Sequence, residues 1–153
     1  MVADPGLVKL LEMIEQYGWA VQYVMAGDQP GDVEFAYTVG LTTLGHPEVV
    51  IQGLPPDSAK TYLNIVGRGV RDGSRFEPGL ITTDLPGLPV RCAFIAVEDS
   101  SELVAIEQIY DEVEAVQFVW PDSADHLPWE PGWRNPPGCQ PLLGRMPGRW
   151  HTR

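Results

Sequence analysis

Long apolar runs are missing from this sequence, and so is a basic segment followed by an apolar stretch at its beginning. Crossing a bilayer takes about 20 consecutive apolar residues, and a secretory signal needs a basic region before an apolar one. We therefore expect a chain that does not span a membrane and that resides in the cytoplasm.

Positive charge is also scarce. The chain has 10 Lys and Arg residues against 21 Asp and Glu residues, for a net charge of -11. Binding a nucleic-acid backbone requires clustered basic side chains that displace counterions, and adhesion to an anionic membrane surface has the same requirement. Neither partner is expected. An acidic surface suits a basic protein partner, mimicry of nucleic acid, or solubility alone.

Cysteine is rare, with only Cys92 and Cys139. Small secreted domains that depend on disulfides usually carry more cysteines than two. We expect two separate thiols, and a single bridge or a shared metal ion stays open as an alternative.

The 153 residues fit one domain, spanning 1–153. Helix and strand signals alternate along the first 120 residues. Predicted helices run from the Asp4 cap to Gly18, from Pro55–Pro56 to Gly73, and from Leu103 to Tyr110, after an Asp99/Glu102 capping box. Predicted strands are Trp19–Ala26, Phe35–Leu41, Glu48–Gly53, Val90–Val97 and Val113–Trp120.

Short connections between the early strands favour antiparallel pairing, because a parallel step needs a long crossover. The predicted fold class is α+β: a mainly antiparallel sheet of about five or six strands, with two or three helices packed on it. Phe76–Pro89 is expected to be irregular. So is the Trp/Pro-rich segment after Pro121, which is expected to wrap the domain, with Gly148–Arg153 mobile.

The first candidate for chemistry is the loop His46-Pro47-Glu48. A loop histidine two positions from a carboxylate can carry out acid–base chemistry or bind a metal. The spacing resembles the H-x-E of zinc deaminases, but the P-C-x-x-C that those enzymes also need is missing. The structural alternative is that His46 bridges a turn while Glu48 begins a strand.

The second candidate is Trp120-Pro121-Asp122 and the residues that follow it, Asp125, His126, Trp129 and Glu130. Aromatic side chains beside carboxylates can form a ligand pocket or a cage for a cation, or a proline-rich lid held by indoles. Asp122, Asp125 and His126 could also share a metal with His46. Arg91, on an otherwise apolar strand, is expected to face solvent or, less favoured, to bind an anion.

Common nucleotide and hydrolase motifs are missing. No G-x-x-x-x-G-K-[ST] loop, no G-x-G-x-x-G and no G-x-S-x-G elbow occurs. The sequence alone therefore assigns no reaction.

Several segments do look familiar. They are FAYTVGLTTLGHPEVVIQGLPPDSA, RFEPG, PVR, VQFVWPD, LPWEPGW and QPLLG. From about Gly18 to Gly144 the chain resembles a bacterial, largely actinobacterial family catalogued as domain of unknown function 4262. The resemblance implies no reaction; it points to positions in the shared segments, namely Tyr37, His46, Glu48, Trp120, Asp122 and Trp129.

With Thr38 and Arg91, those six residues form the candidate pocket. Three hypotheses follow. The first is a binding module for a protein or small-molecule partner, with no cofactor or metal, although a flavin or divalent metal stays open. The second is an enzyme whose cleft lies between the His46/Glu48 loop and the Trp120/Asp122 segment. The third is a flavin-binding protein, because TVGL…GHPE…GLP is loosely similar to flavin-binding split barrels, without their basic phosphate-binding loop.

Overall fold

The structure, a computed structural model, describes residues 4–83, 85 and 91–153, which contain three α-helices, one 3-10 helix and seven strands. In chain order they are α1 (Pro5–Tyr17), β1 (Ala20–Val24), β2 (Phe35–Val39), a 3-10 helix (Leu41–Leu44), β3 (Glu48–Gln52), α2 (Pro56–Arg71), β4 (Leu80–Thr82), β5 (Cys92–Ala96), α3 (Val104–Ile109), β6 (Ala115–Val119) and β7 (His151–Thr152). The α+β class is confirmed.

The strands form one sheet in the order β1-β2-β3-β6-β5-β4-β7. Four neighbouring pairs are antiparallel, whereas β3–β6 and β4–β7 are parallel. The prediction of a mainly antiparallel sheet of five or six strands is therefore wrong: the sheet is mixed and has seven. The sequence-adjacent strands that pair with each other do so antiparallel, but β3 pairs with β6 across a connection long enough to permit parallel pairing.

Local signals define the two long helices. The Asp4 side chain caps α1 by accepting from the backbone of Gly6, and Gly18 ends it in a left-handed conformation (φ 96°). In α2 the predicted apolar stripe is buried, and its members are Ala59, Leu63, Val66 and Val70. α1 thus begins and ends as its sequence predicts, and α2 buries the predicted stripe but ends at Arg71, two residues before the predicted stop at Gly73.

The sheet carries apolar side chains on both faces. On one face Val49, Phe94 and Phe118 pack beneath the buried stripe of α2. On the other, Leu10 and Ile14 of α1 and Leu103 and Ile106 beside or within α3 pack over the middle strands. The alternation follows the period of two residues in a strand.

The C-terminal segment crosses that second face. The buried amide of Gln117 donates to the carbonyl of Pro141 and accepts from the backbone N–H of Leu143, each at 2.8 Å. Farther along, His151–Thr152 pairs with β4, with a 2.9 Å bond from the His151 N–H to the Gly79 carbonyl. The strand β4 therefore supplies residues 151–153 with backbone partners, an arrangement that the sequence did not predict; the mobility of 148–153 stays a prediction.

Two other local predictions need correction. The stretch Phe76–Pro89 is not wholly irregular, since it contains β4; residues 84 and 86–90, and with them Val90 of the predicted strand, lie outside the described part. The Asp99/Glu102 capping box is wrong. Asp99 accepts from the N–H of Ser101 in a turn, and α3 begins after Leu103 without a side-chain cap.

Both cysteines are free thiols, as predicted. Cys92 is buried in β5, and burial raises its pKa to about 12, so its thiolate is scarce at neutral pH. None of the helices in the described ranges is long and apolar enough to span a membrane.

Candidate functional site

The carboxylate of Glu48 is completely buried at the start of β3. It accepts five hydrogen bonds of 2.6–3.0 Å, from the hydroxyl of Thr38, the N–H groups of Gly40, Leu41 and Thr42, and the hydroxyl of Thr42. These N–H groups open the 3-10 helix, where a negative charge is favourable. Glu48 therefore holds the loop after β2 in place, and its oxygens are already engaged with donors.

His46 is a buried bridge between two loops. Its Nδ1 lies 2.7 Å from the Pro47 carbonyl, and its Nε2 accepts from the Phe76 N–H at 2.9 Å. This pattern requires the neutral ring with the proton on Nδ1. Burial lowers the pKa of His46, and the positive charge of Arg75 adds to the effect, whereas the bond to the Pro47 carbonyl opposes it. With both nitrogens bonded, His46 acts as a structural bridge.

The lowered pKa of His46 predicts a pH dependence of stability. The unfolded ring takes up a proton below about pH 6.5 while the folded ring stays neutral, so stability present above that pH is lost as the pH falls toward the folded pKa. Between about pH 7.5 and 5.5, urea denaturation should show the free energy of unfolding falling by up to about 1.4 kcal/mol per pH unit. His46→Gln should remove this slope and His151→Gln, at an exposed site, should keep it; equal slopes in wild type and His46→Gln would contradict it.

Tyr37 and Thr38 point to opposite faces of the sheet, as neighbours in a strand must. The Tyr37 hydroxyl accepts from the N–H of Ala105 at 3.1 Å, and burial raises the pKa of Tyr37. The Thr38 hydroxyl donates to Glu48 and accepts from the N–H of Val49. Both side chains thus serve the packing of the fold from different sides.

Asp122 organises a turn after β6. Its buried carboxylate accepts from the N–H groups of Ala124, His126 and Arg134 at 2.8–2.9 Å. Burial alone would raise the pKa of Asp122, but the N–H donors outweigh it and the pKa is lowered. The ring Nδ1 of His126 lies 3.4 Å from Oδ2 of Asp122.

Arg91 is paired with the C-terminal segment. Its guanidinium forms a two-pronged ion pair with the Glu130 carboxylate and also donates to the Asp125 carbonyl at 2.6 Å. The hydrogen bond from Arg91 lowers the pKa of Glu130. Two acidic residues of the C-terminal segment thus already engage the donors of Arg91, and its side chain is 27% exposed.

The tryptophans anchor the C-terminal segment. The Trp120 indole donates to the Gln52 carbonyl at 2.8 Å, and its backbone pairs with the amide of Gln140. Trp129 stacks on Trp150 with ring centroids 4.9 Å apart. This arrangement agrees with the lid interpretation of the segment.

The two candidate segments lie at opposite ends of neighbouring strands. In the parallel pair β3–β6, Glu48 is level with Ala115 and Ile51 with Phe118. His46 precedes β3 and Asp122 follows β6, so the length of a five-residue strand, roughly 16 Å, separates the two ends. They do not form two walls of one cleft, and a metal shared between them is wrong for the same reason. Within residues 4–83, 85 and 91–153, no three His, Cys, Asp or Glu side chains are grouped to hold a metal ion.

A groove of about 490 Å³ lies beside β1, at one edge of the sheet. We call it the edge groove; it is lined by Met13, Tyr17, Trp19, Val21, Tyr23, Ala36, Pro56, Asp57, Lys60, Asn64, Arg68 and Arg71. It contains none of the residues singled out from the sequence as a candidate pocket. The polar residues of α2 are spaced like those of any solvent-facing helix surface. The one sequence feature that could have indicated the groove is the presence of three cations, Lys60, Arg68 and Arg71, on this helix of an acidic chain.

Trp19 forms the floor of the edge groove. Its indole N–H donates to the Asn64 side chain at 3.0 Å. A Cβ at Gly67 would lie 2.4 Å from the indole Cε2, so only glycine lets the ring sit against α2. The guanidinium of Arg71 lies 5.6 Å from the ring centroid, at cation–π distance.

The edge groove is positively charged although the protein is not. Lys60, Arg68 and Arg71 are exposed along it, against one acidic side chain, Asp57. Besides its cation–π contact with Trp19, Arg71 makes an exposed 3.9 Å ion pair with Asp72, which contributes little. Lys60 and Arg68 have no ion pair with any described residue. These charges give the groove a local attraction for anions.

The sheet is open. β1 and β7 stand at its two ends and, over the residues described, do not pair with each other. The likeness to flavin-binding split barrels is therefore not reproduced in the architecture.

Comparison with known proteins places the chain in a family. A family model described as "Domain of unknown function (DUF4262)" matches residues 13–134, a segment that includes the whole lining of the edge groove. No curated protein and no solved structure matches the chain.

Proposed function

We propose that this chain is a binding module that takes an anionic ligand in the edge groove. The chain belongs to the DUF4262 family of domains of unknown function, so the support for the proposal is its own geometry. The observation that carries the proposal is the placement of three of its ten basic residues along one groove with an aromatic floor. Pockets of this kind combine apolar burial with a few polar groups that orient the ligand.

The chemistry of the lining supports an anion with an apolar part. Trp19, Tyr23 and Val21 offer apolar surface, and Arg68 offers a planar donor that matches a carboxylate or phosphate. Long-range attraction by such a patch raises the association rate for anions and repels cations. The side chains of His46, Glu48 and Asp122 are engaged in hydrogen bonds within the fold. They therefore offer little support for catalysis, and a binding role for the chain is favoured.

A double charge reversal tests the proposal. Lys60→Glu with Arg68→Glu should weaken binding of the fluorescent aromatic anion anilinonaphthalene sulfonate about tenfold, because it removes two favourable charge contacts and replaces them with two repulsive ones, each worth up to about 1 kcal/mol. Fluorescence titration measures the affinity. Arg149→Glu, a charge reversal at an exposed position next to β7 at the opposite edge of the sheet, should leave it unchanged. Equal binding by wild type and the double variant would disprove the proposal.

A further inference from the structure

We propose that the occupant of the edge groove is an extended acidic segment of a partner protein, which pairs its backbone with the outer edge of β1 and sets carboxylates against Lys60 and Arg68. The inference rests on the proposed function of the groove. It makes the chain a module that recognises acidic peptides by strand addition.

The outer edge of β1 is free to pair. Residues 20–24 make their ladder with β2, and the described part of the chain contains no further backbone hydrogen bond to them. An edge strand presents a row of unpaired N–H and C=O groups. Proteins usually protect such an edge with charged residues or proline, but β1 reads AVQYV and has neither.

The groove has the length of an extended peptide. Along α2, Lys60 and Arg71 are eleven positions apart, about 16 Å of helix. The five residues of β1 are also about 16 Å long. A peptide of five or six extended residues covers that distance, whereas a compact anion meets only part of the charged stripe.

The spacing of the cations predicts the spacing of the acids. Lys60 and Arg68 are about 12 Å apart along the α2 axis, and side chains on one face of a strand recur about every 6.6 Å. Acidic residues at positions i and i+4 of the peptide match that separation. The residue between them on the same face then lies over the Trp19 floor, where an apolar or aromatic side chain fits.

Charge also favours an acidic peptide over a second copy of the chain as the occupant of the edge groove. A copy that added its own β1 would bring the sequence AVQYV, which carries no carboxylate for Lys60 or Arg68. An acidic peptide satisfies the backbone edge and the cations together.

The experiment presents pools of blocked peptides of about seven residues to the immobilised full chain. In one pool Glu is fixed at two positions four apart and the others vary among Val, Ile, Thr and Tyr; the matched pool has Lys at the fixed positions. Retention of the Glu pool alone is expected. Resynthesised retained peptides should bind at least about tenfold more weakly to Lys60→Glu/Arg68→Glu, and equally well to Arg149→Glu.

Backbone N-methylation tests strand pairing separately from charge. Methylating the alternate amides that face β1 should abolish binding, and methylating the other alternate set should not, because only one set donates to the edge. Equal tolerance of both sets would overturn strand addition.

The remaining outcomes separate this inference from the proposed function. If peptides are not retained but anilinonaphthalene sulfonate or flavin mononucleotide binds with dependence on Lys60 and Arg68, the inference fails and the function stands. If no anion binds, both fail. A dimer in sedimentation analysis that the double charge reversal dissociates would overturn the inference in favour of a second copy.

Discussion

The Glu48→Ala substitution is expected to lower the free energy of unfolding by about 4 kcal/mol. It removes the acceptor of five hydrogen bonds at a position with no solvent exposure. Each buried donor left without a partner costs about 1–3 kcal/mol, and those nearest the surface recover part of this from water. The loss is comparable to that of breaking a buried ionic network.

Glu48→Gln refines the test. The amide preserves the size of the side chain and one oxygen, but turns an NH₂ group toward N–H donors, so its effect should lie between those of wild type and alanine. The matched control is Glu15→Ala, at an exposed position of α1, which should stay within about 0.5 kcal/mol of wild type. Urea or guanidinium denaturation measures all three. A Glu48→Ala variant within about 1 kcal/mol of wild type would show that the five bonds do not support the loop.

Gly53→Ala is expected to be the second large effect, about 3 kcal/mol of destabilisation with release of the C-terminal segment. Gly53 has a φ of 81°, and a Cβ there would lie 2.1 Å from the backbone oxygen of Cys139. The left-handed conformation costs a non-glycine residue about 1–2 kcal/mol, and overpacking against a fixed backbone adds about 1–3 kcal/mol.

Gly138→Ala is an unusually close control for that substitution. Gly138 has the same φ of 81°, but a Cβ there would meet no described atom within 4 Å, so it should show the conformational cost alone. Denaturation midpoints give the two free energies, and limited proteolysis reports release of the segment after Asp122. Equal destabilisation by both alanines would mean that the Gly53–Cys139 contact does not hold the segment on the sheet.

The elements that the sequence predicts well are those defined by local chemistry. The cap at Asp4 and the stop at Gly18 act within one helical turn, and the apolar stripe of α2 repeats over about three turns. The parallel pairing of β3 with β6 joins residues far apart in the chain, and no local pattern encodes it. The strands β4 and β7 have three and two residues, too short for a periodic signal.

The candidate pocket was harder to predict for a related reason. His46, Glu48 and Asp122 have the side chains that catalysis and metal binding use. The sequence cannot show that the acceptor atoms of these side chains already receive hydrogen bonds from backbone N–H groups of nearby loops. Arg91 likewise meets Glu130 only after the C-terminal segment folds back. The sequence does not predict the edge groove, because its cations lie on the polar side of α2, where exposed charges are ordinary.

The edge groove is tested most directly by mapping, with amide and indole NMR signals, where an acidic ligand binds. Titration with anilinonaphthalene sulfonate, or with a retained Glu-containing peptide, should shift the Trp19 indole N–H and the amides of Asn64 and Gly67, which lie at the floor of the groove. The amides around His46 and Asp122 should stay in place. Shifts confined to those two loops, with the Trp19 signal unmoved, would contradict the account.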